Sequence, residues 1–235
     1  MAKDQLTPSN SLSVKDFLKK SDEITPYESK SNTGRLMFAM DATASREHTW
    51  DMACQIQADM FMSTQDIGNL EISLCYFRGY HEFHVLDWSN QAAKLRDQML
   101  AVRCLAGHTQ IKRTLEHAVK VCAAQKVKAV VYVGDSFEEN IDDVGMMAGK
   151  LNLLGVPVFT FHEGNDPVAK NAFQHIAQLT GGAYCTFDQN SVSQLKDLLC
   201  AVAAFAVGGI NALHQHSQKG NMLANSIIKQ LPKPK

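Results

Sequence analysis

Asp41-Ala42-Thr43-Ala44-Ser45 sets one carboxylate and two hydroxyls at alternate positions directly after an apolar run. Thr109 stands where a loop enters a helical pattern, and Asp135 follows a second apolar run in Gly134-Asp135-Ser136. Two carboxylates and three hydroxyls are hard oxygen donors, suited to Mg²⁺ or Mn²⁺ rather than to zinc or copper. Mg²⁺ asks for near-octahedral oxygen and tolerates waters, so hydroxyls with carboxylates held partly through water leave a vertex open. Asp, Thr and Ser also cap helices well. A cap accounts for the first loop alone and leaves Thr109 and Asp135 unexplained.

The elements that must position these residues follow from apolar patterning. Leu36 to Met40 is a continuous apolar run, as in a strand buried on both faces. A helical pattern covers about 47–64, with Trp50, Ala53, Cys54, Gln57, Met60 and Phe61 on one face. Leu70 to Phe77 and Phe83 to Leu86 read as an antiparallel hairpin around Arg78-Gly79-Tyr80. Helices are expected at 91–100, 110–124, 142–154, 168–179 and 192–207, and strands at 127–133, 156–161 and 183–187. Gly181-Gly182 stops the fourth of these helices. Strands alternating with helices predict an α/β fold: a doubly wound, mostly parallel sheet with one antiparallel edge strand and helices on both faces. In such a sheet ligands bind beyond the carboxyl ends of the strands, where the strand order reverses. That expectation puts Asp41 at the rim.

Asp41-x-Thr43-x-Ser45, then Thr109, then Asp135, resembles the metal-ion-dependent adhesion site of the von Willebrand factor A domain family. Phe173 to Tyr184 is similar to the family's penultimate helix and strand, and Val192 to Leu199 to its final helix. The likeness covers about 34–207. Thr43 replaces the usual serine, Gly134-Asp135-Ser136 replaces the usual Thr-Asp-Gly, and His108, Arg46 and Glu47 add polarity to the loops. The resemblance implies Mg²⁺ or Mn²⁺ on Thr43, Ser45 and Thr109, with Asp41 and Asp135 holding it directly or through water. It further implies a protein partner that supplies an Asp or Glu carboxylate to the ion. Likeness to intracellular members implies an adaptor or subunit of a larger assembly, sometimes alongside an ATPase.

A rival reading starts from the same residues. Asp41-x-Thr43 with Gly134-Asp135-Ser136 also resembles haloacid-dehalogenase-type phosphohydrolases, with Asp41 as nucleophile and Asp135 helping to hold Mg²⁺. Against it, Thr43 stands where that family's second aspartate belongs. No glycine-rich phosphate loop and no Ser-His-Asp or Cys-His arrangement supports an enzyme, so a binding module is expected.

The 235 residues suit one large domain, or one medium domain with tails. With 23 basic against 24 acidic residues the net charge is -1, which gives no basic surface for nucleic acid. None of the six cysteines forms a C-x-x-C pair, so they read as small buried hydrophobes in a reducing compartment. With no signal-peptide pattern at the start, a cytoplasmic location is expected. The least polar run, Leu198 to Ile210, is interrupted by Gly208-Gly209 and is too short for a membrane span.

Residues 1–33 read as a polar tail, with one amphipathic turn at 14–18, and 34–207 as the domain. Residues 208–235 carry Lys219, Lys229, Lys233 and Lys235 without an acid. Met222, Leu223, Ile227, Ile228 and Leu231 give this basic tail a short amphipathic helix, either packed back on the domain or docking a partner. His81, His84 and His108 read as solvated, Glu138, Glu139, Asp142 and Asp143 as a solvated helix start, and His162-Glu163 as either cleft rim or plain loop.

Overall fold

The first apolar run becomes strand β1 (Gly34–Asp41), and its side chains divide by parity. Leu36, Phe38 and Met40 enter the core on one face of the sheet, and Met37 and Ala39 the core on the other. This two-sided burial is why the run reads as uninterrupted apolar sequence rather than as alternation. The computed structural model describes residues 33–47, 50, 70–187 and 192–232. The polar stretch 1–32, with its expected turn at 14–18, and most of the helical pattern at 47–64 lie outside the described residues.

After β1 come a 3₁₀ turn (Ala44–Arg46), β2 (Leu70–Arg78), β3 (Glu82–Val85), α1 (Ala92–Leu100) and α2 (Ile111–Ala124). The chain continues as β4 (Ala129–Gly134), α3 (Ile141–Leu153), β5 (Val158–Glu163), α4 (Pro167–Thr180), β6 (Tyr184–Phe187), α5 (Val192–Gln218) and α6 (Met222–Gln230). The sheet order is β3-β2-β1-β4-β5-β6. Among the described strands only β3 is antiparallel, pairing with β2 through Cys75↔Val85 to Arg78↔Glu82. The fold is α/β and doubly wound, with one antiparallel edge strand, as the sequence predicts. From β1 the chain moves outward to β3, then returns to the opposite side of β1 as β4, so the order reverses between β1 and β4. The loops after these two strands therefore lie side by side at the crevice where such sheets take ligands.

α2, α3 and α4 cover one face of the sheet; α1, α5 and α6 contribute to the core on the other. α4 starts at an Asp166 cap with Pro167 in its first turn and ends on Gly181 in the left-handed conformation, which is the helix stop its sequence encodes.

α5 departs from expectation. It runs past residue 207 to Gln218, kinked at Gly209 (φ 64°, ψ -155°). Gly208-Gly209 reads as a stop, but Leu213 beyond it is fully buried and carries the helix onward. The stretch Gln194–Gln218 is thus long and apolar enough to cross a membrane, and half of its apolar window is buried inside the protein. Gly34 lies under this helix so closely that a Cβ there would stand 2.7 Å from the Ala206 carbonyl oxygen. α6 packs back on α5, with Ala224 and Ile227 fully buried. Its apolar face is used in the core, and Met222 stays exposed.

Candidate metal centre

β1 delivers Asp41 to the carboxyl edge of the sheet with 0% of its surface exposed, rather than at the rim. Pairing continues one residue further than expected: the Ala42 amide donates to the Phe77 carbonyl at 2.9 Å, so the loop turns away only after Asp41 is covered. Asp41 Oδ1 accepts the Thr43 amide at 2.8 Å, the local turn that an aspartate favours two residues before an open amide. The hydroxyls of Thr43 and Ser45 stand 3.1 Å apart, Thr43 buried and Ser45 exposed.

The second loop is laid beside the first by backbone contacts. The Leu105 amide donates to the Ala42 carbonyl at 3.1 Å, and the Leu105 carbonyl accepts the Gly79 amide at 3.2 Å. Gly107 passes the hairpin turn so closely that a Cβ would lie 1.9 Å from the Gly79 carbonyl oxygen, a crossing that only glycine permits. The Gln110 side chain fastens the same loop to β3 by donating to the Glu82 carbonyl at 3.2 Å. Thr109, between these anchors, is buried. Its hydroxyl accepts the Glu138 amide at 3.2 Å, and its own amide donates to Glu138 Oε2 at 3.2 Å.

Glu138 is exposed as expected and Glu139 is half-buried, but neither starts the helix: both precede its cap. Asn140 caps α3, accepting the amides of Asp142 and Asp143. The two glutamates are freed to reach across to α2, where Glu139 accepts the Ile111 amide and, at 2.9 Å, the Lys112 amide. The Glu139 carboxylate satisfies two first-turn amides that have no partner within their own helix, at its positive end. Asp142 and Asp143 do sit in the first turn of α3, and Asp143 pairs with Lys112 at 2.8 Å.

Asp135 follows β4 half-buried and accepts the Ser136 hydroxyl at 3.3 Å. The glycine before it has a steric cause: a Cβ on Gly134 would lie 2.5 Å from the Tyr132 hydroxyl oxygen. Tyr132, two residues back on the same strand, thus places a buried phenol at this edge of the sheet, close enough to feel the charges of Asp41 and Asp135.

Arg46 is the residue that sequence reasoning valued least. Expected as extra loop charge, it is 1% exposed. Its Nε donates to Glu163 Oε2 at 2.8 Å, its Nη1 donates to the Asp41 carbonyl, and its guanidinium lies 5.4 Å from the centre of the Trp50 ring. Glu163, at the end of β5, is buried by this pair, and neighbouring His162 is fully buried. The His162 Nδ1 bonds to the Tyr184 hydroxyl at 2.9 Å, and burial lowers the ring's pKa. Neither residue is a plain loop position. By contrast, His108 is solvated as expected, pairing with Glu138 at 3.1 Å and meeting the exposed Tyr80 edge-on.

Burial pushes the Asp41 carboxyl up to about 6, a rise that the Thr43 hydrogen bond and the Arg46 charge only partly offset and that the Asp135 charge increases. Asp41 Oδ2 and the Tyr132 hydroxyl are buried without a hydrogen-bond partner among the described residues. Orphaned oxygens of this kind are what a bound ion or water satisfies. Among the described residues no three His, Cys, Asp or Glu side chains converge to hold a metal, so an ion here depends on hydroxyls as well. The structure brings Asp41, Thr43 and Ser45 into direct contact and sets Asp135 near enough to act on Asp41. Thr109 is tied to the loop that carries Asp135. The donor set fits a hard divalent cation. A nucleophilic Asp41 fits less well, because the residue is wholly covered and Oδ1 is committed to the Thr43 amide.

No family model matches the sequence, and no curated protein matches it. Solved structures do. The chain is similar to a von Willebrand factor type A protein from Catenulispora acidiphila, with a TM-score of 0.62 and 13% identity over 75% of this chain and 43% of that one. It is similar to the von Willebrand factor domain of the type V pili tip protein Mfa5 from Porphyromonas gingivalis, at 0.61 and 10% identity over 74% and 95%. It is also similar to proximal thread matrix protein 1 from the mussel byssus, a structure described as having a zinc-occupied metal-ion-dependent adhesion site, at 0.59 and 17% identity over 73% and 46%. This chain spans less than half the length of the first and third of these. At such identities the likeness speaks for architecture, and the chain has the fold of a von Willebrand factor A domain.

Proposed function

We propose that the chain is a protein-binding module that captures an acidic side chain of its partner through a divalent cation, Mg²⁺ or Mn²⁺, at the β1/β4 crevice. The observation that carries this reading is the buried Asp41, whose Oδ2 has no partner among the described residues at the place where two hydroxyl-bearing loops meet Asp135. Thr43, Ser45 and Thr109 are the neutral ligands of the proposal, and Asp41 and Asp135 hold the ion directly or through water. A cation held mainly by neutral oxygens supplies a Lewis-acidic vertex for a carboxylate oxygen. The chain's part is to fix those oxygens beforehand. Thr43 is held by the Asp41 turn, and Thr109 by the Glu138 bonds.

The zinc-occupied site named for the mussel protein supports divalent binding on this architecture. The donor chemistry here favours harder ions. A cytoplasmic location belongs to the same proposal, supported by cysteines that stand as free thiols in Cys75, Cys104, Cys122, Cys185 and Cys200. So does a role as adaptor or subunit in a larger assembly, including one that contains an ATPase. The test is capture of partners from the native cell by the immobilised chain in Mg²⁺ and in EDTA. Partners retained in Mg²⁺ and lost both in EDTA and with Thr43→Ala support the reading. Capture indifferent to both overturns it.

A further inference from the structure

The Arg46–Glu163 pair is buried and joins the loop after β1 to the end of β5, 117 positions away in sequence. A buried ion pair is costly to desolvate and is rarely the cheapest way to staple two segments. Its surroundings give it another use. The Arg46 guanidinium acts electrostatically on Asp41 and Asp135 as well as on Glu163, and its Nη1 also holds the Asp41 carbonyl. One guanidinium thus faces three carboxylates beside the β1/β4 crevice, Asp41 and Glu163 buried and Asp135 half-buried. When the carboxylates are ionised they leave two negative charges, the charge that one divalent cation cancels.

We propose that Arg46 and Glu163 form a resident counter-charge pair that sets how tightly the crevice holds a divalent cation, Arg46 loosening the ion and Glu163 tightening it. This rests on the metal reading above and deepens it. The guanidinium keeps the two metal-loop carboxylates tolerable in the absence of an ion, and the same charge repels the ion when it arrives. Once an ion is seated, Arg46 adds a second nearby positive charge, which favours an anionic ligand over water at the open vertex. Arg46 would thereby trade affinity for the ion against affinity for the partner's carboxylate.

The test is Mn²⁺ binding to the full chain by calorimetry at low ionic strength and pH 7.5. It compares the parent with R46M, R46K, E163Q and R46M/E163Q, each first shown to melt cooperatively without metal. If charge governs affinity, R46M binds Mn²⁺ tighter by about tenfold or more and E163Q weaker by a similar factor. The double variant, with the parent's net charge, and R46K both return to within about threefold of the parent. A purely structural pair moves R46M and E163Q in the same direction, toward weaker binding. That outcome, or an unchanged affinity in both, overturns this inference alone. If R46M does not fold, the contrast between a weakened E163Q and a double variant near the parent still decides it: a double variant as weak as E163Q overturns it. Absence of Mn²⁺ uptake in the parent and every variant overturns the metal reading and this inference together.

Discussion

Thr109 and Glu138 hold each other by two reciprocal bonds, hydroxyl to amide and amide to carboxylate, each 3.2 Å long. The bonds join the loop before α2 to the loop after β4, so the position of one candidate ligand is tied to the strand that carries another. Groups that orient a metal ligand commonly matter about 10–100-fold in affinity. Glu138→Ala is expected to weaken Mn²⁺ binding by roughly tenfold while costing the metal-free fold only about 1 kcal/mol. Calorimetry and a thermal melt on the same sample check both parts.

Asp41 makes stability depend on pH in an unusual direction. Its carboxyl is raised in the folded chain from 3.8 to about 6, so between those values the native state holds the proton and the unfolded chain does not. Stability from this group is complete below pH 3.8 and is lost as pH rises through 6, by about 3 kcal/mol at neutral pH. Asp41→Asn removes that loss. It is expected to raise the melting temperature of the metal-free chain at pH 7.5 and to flatten its dependence on pH between 4 and 6. A variant that melts below the parent under those conditions contradicts the burial argument.

Two glycines should respond oppositely to alanine. Gly107 crosses the Gly79 backbone with no room for a Cβ, whereas Gly149, inside α3, has nothing within 4 Å of one. Gly107→Ala is expected to cost at least about 2 kcal/mol through overpacking and to displace the loop bearing Thr109. Gly149→Ala should stabilise the chain by about 0.5–1 kcal/mol through helix propensity. Chemical denaturation of the two variants measures both signs.

The C-terminal segment belongs energetically to the core. Ile227 is fully buried, as is Leu213 on the continuation of α5. Ile227→Ala should cost about 2–5 kcal/mol, and deleting 212–235 should lower the melting temperature of the chain with or without Mg²⁺. A deletion that melts like the parent would return this segment to the status of a detachable tail.

What sequence could convey here divides by the range of the interaction. The two-faced run of β1, the hairpin turn and the Asp166–Pro167 start and Gly181 stop of α4 are local signals, and each appears where its residues put it. The Asp41–Thr43–Ser45 loop is likewise local, since its turn closes within five residues. The continuation of α5 past Gly209 was not legible, because the burial of Leu213 that sustains it comes from tertiary packing. Arg46 was illegible for the same reason. An arginine in a polar loop looks solvated, and nothing near it announces a glutamate at the end of a strand far along the chain. Glu138 and Glu139 resembled a charged helix start, and only the adjacency of two loops across the crevice turned them toward α2. Gly134 had a readable clue in Tyr132 two residues earlier, since a strand's period of two puts both on one face.

A thermal melt in Mg²⁺ against EDTA shows whether Asp41 and its neighbouring hydroxyls hold a divalent cation. A ligand that binds only the folded state raises its stability by mass action, by about 2.7 kcal/mol at a hundred times its Kd. The parent is expected to melt higher in saturating Mg²⁺ than in EDTA, and Asp41→Asn, although more stable without metal, should melt at the same temperature in both. A parent indifferent to Mg²⁺ and Mn²⁺, or a variant whose shift equals the parent's, would mean that Asp41 holds no divalent cation.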